Sequence, residues 1–156
     1  MNKILALSAV VLVFSACIKR SGAPAAHAGR SPDEVVRSFI ELSTTAKEPS
    51  DRKKLQELCL GELRRTFERM NDEAFRLIYL DTKVAVLEFK VVESSMQGET
   101  AKIHYQVMVD NKQGTDPTRE LNSREVDLTR SQGAWYIESI RMKGSDQVAF
   151  TRGMLF

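Results

Sequence analysis

"KVAVLEFKVVES", Lys83 to Ser94, is where the chain changes character. Before it, apolar residues recur every three or four positions, the spacing of a helix with one buried face. From here they recur every two, as in a strand whose side chains alternate between faces. Val84, Val86 and Glu88 fall on one parity, and Ala85, Leu87, Phe89 and Val91 on the other. Apolar residues on both parities predict a strand largely covered on both sides.

Downstream, "MQGE" supplies a turn, and "TAKIHYQVMV" sets Ala101, Ile103, Tyr105, Val107 and Val109 against Lys102, His104, Gln106 and Met108. A loop with Gly114 and Pro117 leads to "RELNSREVDLTR", polar except for Leu121, Val126 and Leu128. "SQG" then turns into "AWYIESIRMK", which offers Trp135, Ile137 and Ile140 to a core. The closing "DQVAFTRGMLF" concentrates Val148, Phe150, Met154, Leu155 and Phe156, and is expected to fold back as an edge strand or a plug, the other reading being a segment that adds to a partner's sheet edge.

Upstream, "SPDE" places Ser31 as a helix cap, Pro32 at the first helical position and Glu34 three residues on, a capping box. Val35, Val36, Phe39, Ile40 and Leu42 form the apolar face of a helix that fades near Ala46, before Pro49. Ser50 is positioned to cap a second helix carrying Leu55, Leu58 and Cys59, with a break at Gly61. Leu63, Phe67 and Met70, then Phe75, Ile78 and Tyr79 after a fresh cap at Asn71 or Asp72, continue the helical layer. The fold class is α+β, with N-terminal helices packed on one face of an antiparallel sheet of about four strands.

The first residues read differently. Met-Asn-Lys, then "ILALSAVVLVF", then Ser15 and Ala16 make a short positive region, an apolar run and a small-residue cut site. The apolar run is shorter than the roughly 20 residues a bilayer-spanning helix needs. With Cys17 next, the segment resembles the lipobox of bacterial lipoproteins, although Phe14 stands where leucine is commonest. That resemblance implies residues 1–16 as a signal peptide, cleavage between Ala16 and Cys17, and a diacylglycerol thioether on Cys17 with further acylation at its amine. Two or three acyl chains on one residue make a lasting membrane anchor, where one alone binds reversibly. Ile18 follows in place of aspartate, which resembles sorting to the outer membrane where an envelope has two.

Residues 17–30 then form the lipidated cysteine and a flexible tether, "IKRSGAPAAHAGR", reaching on the order of 20 Å. His27 lies in it with no ligand-type neighbours and is expected to be solvated. The domain occupies residues 31–156. Cys59 sits among leucines at helical spacing, as a buried inert thiol.

Net charge is +2, with 23 basic and 21 acidic residues, which excludes the concentrated basic face of a nucleic-acid binder. Arg52, Lys53 and Lys54 read as a solvated helix face. Two histidines and one spare cysteine give no metal set, and no cofactor motif is present. The partners implied are a membrane, through the anchor, and a protein of the envelope.

The order of elements, opening with "SPDEVVRSFIELS" and closing with "GAWYIESIRM", resembles the cone-shaped nuclear-transport-factor-two-like and cystatin-like superfamily over residues 31–143. Within it, bacterial lipoproteins of unknown function are the nearest pattern. The superfold hosts isomerases, dehydratases, binding modules and scaffolds, so chemistry has to be read from a site. Isomerase chemistry on such a cone uses an aspartate base with a tyrosine and a protonated acid. The raw material is Tyr79, Asp81, His104, Tyr105, Asp127 and Tyr136, but parity sends His104 and Tyr105 to opposite faces. The expectation is therefore a tethered binding or scaffolding module and not an enzyme. The first alternative is an apolar-ligand protein with a pocket lined by Phe39, Phe75, Phe89, Tyr105 and Trp135, and the second is an isomerase- or dehydratase-like enzyme, which a buried carboxylate beside Tyr105 would favour. A cone filled by its own side chains would leave only the surface for binding.

Overall fold

The computed structural model describes residues 25–82, 84–112, 118–146, 148–149 and 151–156. The leader, Ala16, Cys17 and most of the tether lie outside the described residues. Among the described residues, no helix is long and apolar enough to cross a membrane.

Helix α1 (Pro32–Thr45) starts at the expected capping box. The Ser31 hydroxyl accepts from the Glu34 amide at 3.3 Å, and the Glu34 carboxylate accepts from the Ser31 amide at 2.7 Å. Val35, Val36, Phe39, Ile40 and Ser43 are its buried face. Ser50 caps nothing: Pro49–Asp51 is a 3₁₀ turn, and helix α2 (Arg52–Glu57) follows it. Asp51 organises that turn, accepting from the Lys47 and Glu48 amides at 3.0 and 3.2 Å.

The stretch after Gly61 is two helices and not one bent rod. Helix α3 (Gly61–Arg69) ends at Met70, and α4 (Asp72–Phe75) begins under an Asn71 cap whose side chain accepts from the Ala74 amide at 2.8 Å. A π-helical turn, Arg76–Leu80, carries the chain to the sheet. Phe39, Phe67, Tyr79 and Phe75 form a continuous aromatic seam, closed by a stacked Phe75–Tyr79 pair at 4.8 Å.

The sheet is a four-stranded antiparallel meander in the order β1 (Val84–Gln97), β2 (Thr100–Asn111), β3 (Thr118–Ser131), β4 (Ala134–Met142). Gln132 and Gly133 both have positive φ, +52° and +83°, which suits the tight β3–β4 hairpin. The helices cover one face, where Ala101, Ile103, Tyr105, Val107, Val109, Val126, Leu128, Ile137 and Ile140 are buried.

Strand β1 departs from the sequence reading. It is an edge strand, open on its far side, and two bulges resolve its mixed parity. Pairing jumps from Val86–Val109 to Glu88–Met108, and from Val91–Tyr105 to Glu93–His104. Each jump leaves one residue over and resets the alternation. Val84, Val86, Phe89 and Val91 therefore all pack against the core, while Leu87 and Val92 are about half exposed. Leu121, expected as a core contact, is exposed too.

The other edge, β4, is paired by two short segments. Leu60 donates to the Ile137 oxygen and Ile137 to the Leu58 oxygen, both at 2.9 Å, so the chain leaves α2 to touch the sheet before α3. Ala149 donates to the Ile140 oxygen further along.

The closing segment docks as a plug. Helix α5 (Arg152–Leu155) puts Leu155 and Phe156 into the core, 0 % and 2 % exposed. Arg152, itself buried, donates to the Tyr79 oxygen at 2.6 Å, the Thr44 oxygen at 2.9 Å and the Val84 oxygen at 3.4 Å. Those carbonyls belong to the ends of α1 and the π turn and to the start of β1. Neither helical segment has a basic residue in its own last turn, so Arg152 supplies the positive charge their carbonyl ends lack. Arg152→Met keeps an apolar stem but leaves these oxygens without that donor. The expected loss is about 3 kcal/mol of unfolding free energy in a urea titration, with faster amide exchange at Ala149 and Leu155. A variant within about 0.5 kcal/mol of the parent would remove Arg152 from this role.

Candidate functional site

Among the described residues, polar and aromatic side chains gather on the concave side of the sheet, at the tether junction and on the open sheet face.

On the concave side, Tyr105 and Arg124 are cross-strand partners of β2 and β3, both turned toward the helices and both buried. The Tyr105 hydroxyl donates to the Leu155 oxygen at 2.7 Å, and the Arg124 guanidinium donates to the Phe156 main-chain oxygen at 2.6 Å. Burial raises the Tyr105 pKa and lowers that of Arg124, and each opposes the other's shift. Both groups are engaged by the chain's own plug.

The five residues read as a pocket are distributed along this core. Phe89 lies 5.2 Å from Tyr105, with the Arg37 guanidinium 5.0 Å above its ring. Phe39 and Phe75 belong to the aromatic seam under the helices. Trp135 sits at the other end of the sheet beneath Arg130, beside Arg30, Pro32 and Met96. No carboxylate is among the buried polar side chains of the described residues, and the group facing Tyr105 is Arg124. Asp81 is exposed, and Tyr79 is core. Cys59 is fully buried, its thiol donating to the Leu55 oxygen at 3.2 Å and its pKa raised well above normal by desolvation.

His27 overturns the solvated reading. It is 4 % exposed, its ring edge-on to Tyr136 at 4.8 Å, with a hydrogen bond to the Trp135 main chain. Its Nε2 is buried without a partner. A hollow of about 320 Å³ lies against it, lined by Glu57, Arg64, Gln132 and Tyr136. Residues 25–30 are thus fastened to the hairpin end of the sheet.

The open face carries two adjacent polar rows set by strand register. Glu93, His104, Glu125 and Arg141 form one; Ser95, Lys102, Asp127 and Ser139 form the other. Asp127 accepts from Ser139 at 2.8 Å and from Arg141, and stands 3.9 Å from Lys102. His104 is only 9 % exposed, and its Nε2 is buried without a partner. The rows border two neighbouring hollows that share Ser95 and Lys102, of about 200 Å³ over His104 and about 460 Å³ beyond Lys102.

With this geometry in view, comparison with known proteins is informative for architecture. No family model matches the sequence, and no curated protein does. A SEC-C motif-containing protein from Rhodopseudomonas palustris is similar at 17 % identity, with 72 % of this chain and 78 % of that one covered and a TM-score of 0.55. An NTF2-like protein with a cystatin-like fold from Novosphingobium aromaticivorans aligns at 14 % identity over 72 % and 80 %, TM-score 0.48. The intermembrane-space region of chloroplast ARC6 aligns at 14 % over 70 % and 93 %, TM-score 0.47. The likeness is one of fold.

Three residues of these sites escaped the sequence reading. Arg124 lies on the parity of Val126 and Leu128, a signal that was legible. Arg152 and His27 depend on carbonyls and rings distant in the chain, which no local pattern reveals.

Desolvation chiefly, with Arg30 nearby, lowers the His27 pKa, against the Trp135 hydrogen bond and Glu57. Arg64 of α3 and Tyr136 of β4 also face it across the hollow. The docked ring is therefore neutral, and its contribution is complete above the free-histidine value of about 6.5. That contribution falls as pH drops below 6.5 toward the lowered docked value. The expected outcome is that the protection factor of the Ala28 amide, which donates to the Ala25 oxygen at 2.8 Å, falls on acidification once the exchange rate is corrected for its intrinsic pH dependence. His27→Phe should abolish that acid response. Equal acid sensitivity in the two proteins would contradict it.

Proposed function

We propose that this chain is a lipid-anchored protein of the bacterial cell envelope whose α+β domain is a binding module, working through its open sheet face and not by catalysis. Cys17 is the anchor and Ala16–Cys17 the cleavage junction, on the strength of "LVFSAC" after a short apolar run. The domain is then held beside a membrane, with the outer membrane favoured by Ile18 where two exist.

One observation carries the binding-surface part of this reading. The concave side, where a cone would receive an apolar ligand, is occupied by Leu155 and Phe156, with Tyr105 and Arg124 engaged on their main-chain oxygens. Among the described residues no helix covers the opposite face, which presents paired polar rows beside two neighbouring hollows. An apolar ligand would have to displace the plug and the bonds that hold it.

The anchor is tested by mass and by partition. The wild-type protein is expected in the membrane fraction with an acylated amino-terminal Cys17. Cys17→Ser is expected to accumulate as an uncleaved or soluble form. A mature protein free of acyl chains and beginning at another residue would overturn the assignment.

A further inference from the structure

We propose that the hollow over His104 binds a small zwitterion: a molecule of amino-acid size with an ammonium group and a carboxylate or phosphate close together. The inference rests on the reading that the open face, and not the cone, is the binding surface.

The hollow is lined by Glu93, Ser95, Lys102, His104, Glu125 and Lys143. Two carboxylates and two ammonium groups surround a space of about 200 Å³, yet they do not neutralise one another. Among the described residues Glu93, Glu125 and Lys143 make no ion pair within 4.0 Å, and Lys102 reaches only Asp127, at 3.9 Å. Asp127 is itself held by Ser139 and Arg141. Strand register fixes this separation, because Glu93 and Glu125 flank His104 on either side in the same row.

His104 supplies the second observation. The side chain is more than nine-tenths buried, and its Nε2 has no hydrogen-bond partner. Buried polar atoms in folded proteins are nearly always paired, and this orphan nitrogen belongs to a ring that lines the hollow, so a small turn of the ring would present it to an occupant. A space of this size holds about seven water volumes, which matches a ligand with a comparable number of heavy atoms.

Charge decides the class. A metal ion does not fit: no group of three His, Cys, Asp or Glu among the described residues is placed to hold one, and two lysines face the space. A polyanion would meet Glu93 and Glu125, and a polycation would meet Lys102 and Lys143. Only a ligand carrying both signs meets both sets with complementary charge, its acid group on the lysines, its ammonium on the glutamates, and a polar atom on His104. A free α-amino acid and an ethanolamine phosphate headgroup present the same chemistry.

The test follows the ring resonances of His104, assigned with His104→Gln, in the full chain in detergent. L-alanine and phosphoethanolamine are titrated beside acetate and ethylammonium, which carry one charge each. A saturable shift is expected for at least one zwitterion, with both single-charge probes weaker by about tenfold or more. Lys102→Met and Glu93→Gln should each weaken binding by about tenfold, without altering the thermal midpoint. Stronger binding of alanine assigns a free amino acid, and stronger binding of phosphoethanolamine assigns a headgroup. No saturable shift, equal response to the single-charge probes, or indifference to both substitutions would overturn the proposal. Loss of the Cys17 anchor would change membrane partition and leave this titration untouched, so the two readings fail separately.

Discussion

A guanidinium taken out of water must find compensation nearby or destabilise the fold by several kcal/mol. Arg152 finds it in main-chain oxygens from three different elements, all distant from it in sequence. Burial lowers its pKa but leaves an arginine charged, so the plug carries a fixed positive charge into the point where helical carbonyl ends converge. The helical layer, the edge strand and the last apolar residues are joined at that one group. Arg124 and Tyr105 complete the arrangement from the sheet side. The concave surface is therefore a core finished by a remote segment.

The sheet manages its exposed edges by two different means. On β4 the edge amides and carbonyls are taken up by the chain leaving α2 and by Ala149. On β1 the edge is bent by bulges and carries charged Glu88, Lys90 and Glu93, features that discourage another chain from adding a strand. The bulges also rotate the strand so that four apolar residues from both sequence parities reach one core.

Much of the architecture was legible, and the reasons for the exceptions are physical. The capping box at Ser31 and the alternation of "TAKIHYQVMV" are local signals, decided by residues within a few positions, and they read correctly. The parity of His104 against Tyr105 likewise placed the two on opposite faces. The double-covered reading of β1 failed because a bulge is a property of pairing with β2, and neither Leu87 nor Val92 differs from an ordinary strand residue. His27 was misplaced for a similar reason: its surroundings come from Tyr136 and Trp135 more than a hundred positions away. The open-face rows were present in the strands as polar residues, but only register turned them into neighbours.

The 108-residue separation between Arg152 and Thr44 also makes this contact depend on distant parts of the chain. The seat for that side chain does not exist until the first helix, the π turn and the edge strand have already met. Closure therefore spans the longest of these separations, and contacts of such long range carry the larger loop-closure entropy. A fault in any one of the three partners withdraws part of the seat, so engagement of the plug depends on all three at once.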